Sequence, residues 1–346
     1  MLYYWVKTLV GAALAANFSF PLITVMVNEH LWEEPMAVLA ANMALVSTGM
    51  GLSIMLIGLY DVVRIQSVTL CRGMQYSGMG LGVAFKASQM CVAVDQYVAV
   101  MYPLQHYSIM VQSRPLLFAV TWLTCVVHIV IGFIAHLLDL ETFAERSERL
   151  GSNTTYVGCR WESALSYYSS VFVEVEMVVF SLITASLLLH TGVVGHRIKA
   201  RLMRETRDIR RNNTSSGEDR DSNKTFLDNY RAFKKILVVL SLTVSLDVVA
   251  PILRISSHWY PQPMVNGFLH QVRLLAFISE GWAYGLLNTK LRAAYRKMLC
   301  CKPSHINDLD NTISLGRQEV VPAVSVPEIP ELQSVASVEA GHLQHM

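Results

Sequence analysis

Seven stretches of the chain are each long and apolar enough to cross a lipid bilayer, and no other sequence feature restricts the fold as strongly. A span needs about 20 mostly apolar residues, because every backbone amide in hydrocarbon must be satisfied within its own helix. The stretches lie near residues 3–27, 36–61, 72–102, 115–138, 166–194, 233–256 and 265–287. They predict an all-α protein, a seven-transmembrane helix bundle. The seventh stretch is the most interrupted, by His270, Gln271, Arg273 and Glu280. The first is longer than the roughly 7–15 residue core of a signal peptide, and it holds a polar Asn17 and lacks a small-x-small site with a charged leader, so it is read as a span. Composition agrees: among 346 residues, 53% are apolar and only 16% charged, too apolar a balance for a soluble pair of domains.

Several function classes lose support on composition and motifs. A net charge of +2 sets up no strong field, and no run joins basic residues to exposed aromatics, so nucleic acid is not an expected partner. Six cysteines are too few for a disulfide scaffold, and none stands in a Cys-x-x-Cys or Cys/His spacing suited to zinc. No HExxH, Gly-x-Ser-x-Gly or phosphate-cradling loop before a Lys-Ser/Thr pair is present, so neither an enzyme nor a bound cofactor is expected. Gly78-Met79-Gly80-Leu81-Gly82 falls inside a span, where small residues permit close helix packing. A transporter is the second functional class, since charges within spans mark ion paths. The absence of an inverted repeat argues against it, and uptake or current in a reconstituted preparation would separate the two.

Orientation follows from lysine and arginine, which favour the cytoplasmic side. Of the 28 such residues, 12 fall in 197–235 and five in 290–302, which places the amino terminus outside and the carboxyl terminus inside. The first inner loop, 28–35, departs from the rule through Glu29, Glu33 and Glu34. Asn153-Thr154-Thr155 is then an outer glycosylation sequon, while those at Asn213 and Asn223 are inner and silent. Cys300 and Cys301 follow a basic amphipathic stretch and suit palmitoylation at the inner surface, a buried inert pair being the alternative. The third inner loop, 197–232, is polar and charged; its middle is expected to be disordered and its ends to extend the flanking helices. The tail, 302–346, lacks periodicity, and no fold is expected there.

The order of landmarks over residues 1–301 resembles the rhodopsin-like, or class A, family of G-protein-coupled receptors. Cys71 stands 25 residues before the middle of Asp95-Gln96-Tyr97, as the family's disulfide cysteine precedes the arginine of its Asp-Arg-Tyr. Pro103-Leu104 follows, Trp122 lies 26 residues beyond Gln96, and Cys159 sits in the second outer loop. Asn17 is similar to the first-helix asparagine, Pro251 to the sixth-helix proline and Tyr284 to the tyrosine of the seventh-helix Asn-Pro-x-x-Tyr. Residues 291–299 resemble the short amphipathic eighth helix. The resemblance implies a Cys71–Cys159 disulfide and a plasma-membrane receptor that passes an extracellular signal to a heterotrimeric G protein, with arrestin a further partner. The G protein would meet Asp95, Gln96, Tyr97 and the basic ends of the third inner loop.

Departures from the family pattern concentrate in its switching positions. The second-helix sodium-site aspartate aligns with Ser47, the third-helix arginine with Gln96, the sixth-helix tryptophan with Val249, and the seventh-helix Asn-Pro with Glu280-Gly281. A receptor with constitutive or little signalling is therefore the alternative reading. Gly78 stands where amine receptors carry an aspartate and Leu274 where opsins carry the retinal lysine, so a peptide or lipid ligand is favoured over an amine or retinal. At the outer ends Asp61, Arg254, His270 and Arg273 are candidate ligand contacts; Arg273 and His270 suit an anionic group, or else Arg273 snorkels to the interface. Lys86, Glu174, Glu176, Asp247 and Glu280 fall inside spans, where a charge calls for a partner. Glu176 is the first choice for Lys86 and Asp247 the second. With no arginine beside it, Asp95 is expected to pair with Tyr102, Tyr107 or a basic residue near Arg231.

Overall fold

The computed structural model of the chain describes residues 2–65, 67–102, 105–149, 158–212, 248–249, 252–253 and 289–300. The chain divides into Met1–Leu299 and Cys300–Met346. Within the described residues the fold is helical; the sole pairing of extended backbone is an isolated bridge between Thr142 and Ser166. Helices α1 (Leu2–Val27), α2 (Pro35–Val63), α3 (Val68–Met101) and α4 (His106–Leu137) are followed by the short α5 (Phe143–Arg149) and α6 (Trp161–Ala164). Then come the long α7 (Tyr167–Asn212) and α8 (Thr289–Cys300). The sixth and seventh expected spans, the tail and the sequons at Asn153, Asn213 and Asn223 lie outside the described residues.

Four helices are long and apolar enough to cross a membrane: Tyr4–Val27, Pro35–Val63, His106–Leu137 and Tyr167–Ile198, with mean hydropathies of 1.8, 1.7, 2.3 and 2.0. Their outward faces carry large apolar side chains that water would not tolerate in such a band: Leu116, Leu123, Val126 and Leu137 on α4 are all more than half exposed. The chain is a membrane protein. α3 is longer still, at 34 residues, yet too polar to join that group. Its position explains this. It packs against α2, α4 and α7, so Lys86, Ser88, Gln89 and Asp95 are buried in protein rather than lipid. The core around it joins Phe85, Cys91 and Val92 of α3 to Leu14, Phe18, Met43 and Val46 of α1 and α2.

Helix boundaries follow local chemistry. Proline at the first turn of α2 lacks only an N–H that the helix leaves unused, and Arg64 ends it in the left-handed region at φ 58°. Ser67 caps α3 by accepting from the Leu70 amide. Thr142 and Glu145 form a reciprocal capping box at the start of α5. The acidic segment after α1 forms a 3-10 turn, Glu29–Glu33, around a buried Leu31. α4 begins nine residues before Pro115, where the sequence suggested its start, because His106 and Met110 pack inward on this first stretch.

α1 and α2 meet backbone to backbone. A Cβ on Gly51 would stand 2.6 Å from the Ala15 amide nitrogen, and one on Gly58 2.7 Å from that of Thr8. Gly80 serves α3 and α4 in the same way, its absent Cβ lying 2.8 Å from the Cys125 carbonyl. Gly82 has open space instead, so only part of the glycine cluster in α3 acts in packing. α8 is amphipathic: Leu291, Ala294 and Tyr295 are buried against Val25, Leu31, Ala37 and Ala40, with Arg296 and Lys297 exposed. Burial there pushes the Tyr295 hydroxyl above the usual phenol range.

Candidate functional site

Three polar clusters occupy successive levels of the bundle, and α3 contributes to each. At one end, Cys71 and Cys159 form a disulfide across a sequence separation of 88, their Cα atoms 5.6 Å apart. Residue 159 is held from all sides. Asp61 Oδ1 accepts from its amide at 2.6 Å, Gln75 Nε2 donates to its carbonyl at 3.1 Å, and Lys7 Nζ donates to the same carbonyl at 3.4 Å. Lys7 also faces Asp61 Oδ2 at 3.5 Å. Gly158 adopts φ 90°, and a Cβ there would stand 2.9 Å from Asp61 Oδ1, so glycine is required on both counts. Asp61, a candidate ligand contact by sequence, is thus engaged in fastening the disulfide loop to α2. It nevertheless lines a cavity of about 570 Å³ beside that loop.

At mid-height, Trp122 Nε1 donates to Asn42 Oδ1 at 3.0 Å, and Asn42 Nδ2 donates to Ser88 Oγ at 3.5 Å, tying α4 to α2 and α2 to α3. Ser47, fully buried, donates to its own helix at the Met43 carbonyl. Lys86, at 1% exposure, donates to Gln89 Oε1 at 3.0 Å and lies 5.1 Å from the Phe85 ring centroid. The expected Lys86–Glu176 pair does not form. Glu176 Oε2 instead meets His128 Nε2 of α4 at 2.6 Å, while His128 Nδ1 donates to the Thr124 carbonyl. The reason is geometric: Glu176 is turned toward the α4 side of α7, where His128 stacks with Phe172.

At the far end of α3, about 36 Å from Cys71 at 1.5 Å per residue, Asp95 is 1% exposed and pairs with His106 Nε2 at 2.9 Å. This corrects the expectation of Tyr102 or Tyr107, both of which are exposed. His106 opens α4 four residues after Tyr102 and turns inward as Tyr107 turns out. Gln96 Nε2 approaches the Met36 thioether at 3.4 Å, and Tyr97 lies 5.5 Å from the His190 ring of α7. Arg114 donates to the Trp32 carbonyl, joining α4 to the 3-10 turn.

Of the remaining sequence candidates, Val249 is 44% exposed and Cys300 ends α8. Asp247, Pro251, Arg254, His270, Arg273, Glu280, Tyr284 and Cys301 lie outside the described residues. Cys91 and Cys125 are buried free thiols. Among the described residues, no three His, Cys, Asp or Glu side chains come together as a metal site needs. Sequence reasoning passed over Lys7, His106 and His128. Lys7 and His128 carried a usable signal, since each is an ionisable group within an apolar stretch. His106 carried none, being one of several polar residues in a loop. No family model matches the chain, and no curated protein matches it.

Proposed function

We propose that the chain is a seven-helix receptor of the rhodopsin-like type, set in the plasma membrane with its amino terminus outside, that passes an extracellular signal to a heterotrimeric G protein. The observation that carries this reading is α3 itself. One helix bears at one end the disulfide to the loop before α7, and at the other Asp95-Gln96-Tyr97, with the Asp95 partner His106 at the start of α4. A receptor needs such an element, because a ligand at the outer end and a transducer at the inner end must bias the same two-state structure. The α8 helix, packed by its apolar face against the inner ends of α1 and α2, suits a membrane-surface position with palmitoylation at Cys300 and Cys301. The basic inner portion of α7, from Arg197 onward, supplies positive charge to the G-protein and arrestin face.

A specific observation also favours altered switching. Gln96 has no charge to release, and Asp95 is occupied by His106 rather than by a neighbouring arginine. We therefore infer that the resting state is held by the Asp95–His106 contact and by the polar pairs within the bundle, which makes basal output the informative quantity. A ligand-free second-messenger panel at matched surface expression, against an empty-vector control, tests the reading. Output above control in any channel supports a coupled receptor. Silence in every channel, together with ion-dependent uptake in proteoliposomes, would replace it with a transporter.

A further inference from the structure

The cavity of about 570 Å³ beside the disulfide loop falls within the roughly 300–1,000 Å³ of small-molecule sites. Tyr60, Ile65 and Val68 give it apolar wall, and Arg64 and Arg72 give it charge. Asp61 lines it too, but both its oxygens are engaged, one by the Cys159 amide and the other by Lys7. With Asp61 and Lys7 cancelling, Arg64 and Arg72 leave the described lining positive. A cationic ligand would find no free acid there.

Arg72 lines the cavity from α3. His136 of α4 holds its Nη1, while its buried Nε has no hydrogen-bond partner. Its guanidinium, anchored at Nη1 by His136, is a fixed positive charge in the lining, and a guanidinium pairs strongly with an oxyanion. Arg64, exposed at the left-handed end of α2, adds a second positive charge to the same lining.

We propose that this cavity binds the oxyanion end of an amphiphilic molecule, such as a carboxylate on an apolar body, through Arg72, with Arg64 reinforcing the charge. The proposal deepens the receptor reading by naming a ligand class, and it rests on that reading for the cavity to face outside. The phosphate of an anionic lipid headgroup offers the same chemistry from a different source.

Binding is measured on the purified full-length chain in uncharged maltoside detergent with no G protein present, so the site and the signalling role fail independently. The probes are 4-phenylbutyrate, 4-phenylbutanol and 4-phenylbutylamine, which share one apolar body, read by calorimetry and by melting temperature. Only the carboxylate is expected to saturate, at about 0.1–1 mM for a probe of ~12 heavy atoms. Arg72→Gln should weaken it about tenfold, the loss of roughly one charge-assisted hydrogen bond. Arg64→Gln, at an exposed position that does not endanger folding, should weaken it by a smaller factor. Both variants should retain the Cys71–Cys159 bridge. Equal binding of the three probes, no saturable binding of the carboxylate, or undiminished affinity in Arg64→Gln and Arg72→Gln would each overturn the proposal. Repeating the titration in phosphatidylglycerol and phosphatidylcholine nanodiscs assigns the source. Competition by phosphatidylglycerol alone identifies the lipid phosphate, and equal binding in both identifies a free carboxylate.

Discussion

Replacing His128 by leucine removes the partner of a carboxylate whose Oε2 lies 2.6 Å from His128 Nε2 in the seam between α4 and α7. His128 Nδ1 donates to the Thr124 carbonyl, which leaves Nε2 to meet Glu176 Oε2. The imidazole is buried, and the carboxylate is 23% exposed toward a region that lipid would fill, so water screens the contact little. Breaking such a pair typically costs about 3–5 kcal/mol. Glu176→Leu should cost a similar amount by stranding His128. The double variant places two apolar groups in an apolar seam and should recover about 2 kcal/mol of the summed loss. For a bundle of this size that recovery corresponds to roughly 3 °C in melting temperature. The assay is thermal unfolding of the detergent-purified variants at one concentration and pH. A parallel cycle of Lys86→Met with Glu176→Leu should be additive within about 0.5 kcal/mol, because those residues share no contact. A His128/Glu176 double variant that melts at the sum of its single losses would refute the coupling.

Further outcomes follow from the same geometry. Cys71→Ser opens a loop closed over a separation of 88 residues and should cost on the order of 4–5 kcal/mol in the chain-entropy model, read as lost surface expression. Non-reducing mass mapping should find Cys71 with Cys159, and Cys91 and Cys125 alkylated only after unfolding. Asp61→Ala strands Lys7 and the Cys159 amide and should cost about 2–3 kcal/mol, whereas Asp61→Asn keeps an acceptor and should cost less in the same melting assay. Gly51→Leu forces a side chain into the Ala15 backbone and should abolish folded yield, while Gly82→Ala, facing open space, should leave it unchanged or improved. Gln96→Arg should shift basal second-messenger output several-fold at matched expression, and the shift should grow in combination with His106→Ala, which frees Asp95 for the new guanidinium. Unchanged output in both would remove this position from the switch.

Legibility from sequence tracked how local the determining physics was. The first and second spans emerged within two residues of their helices, and the fifth at its start, although its helix runs on to Asn212, because hydrocarbon length and backbone satisfaction act on contiguous sequence. α3 was read as a span from its length and apolar content; the helix is more polar than the other long ones, and its burial among α2, α4 and α7 explains why that polarity is tolerated. Burial of Lys86 was legible for the same reason. Partner choice was not. Whether Glu176 turns to α3 or α4 depends on the rotation of α7 about its axis, and 3.6 residues per turn leave that angle open until neighbouring helices fix it. Asp61 was readable as a charge at the end of a span, but its role requires Cys159, which is 98 residues away. The inward turn of His106 required knowing that α4 starts well before its apolar stretch.

The close seam between α1 and α2 bears on how this molecule moves. Where two helices touch through side chains, a rotamer change can give the interface a second stable arrangement, and switching proteins use such bistable layers. At Gly11, Gly51 and Gly58 no such layer exists, and sliding one helix past the other would drive main chain into main chain. The pair is therefore the rigid part of the described bundle: any displacement would fall on the opposite side of α3, where α4 and α7 touch sparingly. Spin labels on α1 and α2 should give one fixed distance under every condition, a ruler built into the bundle against which the position of any other helix can be read.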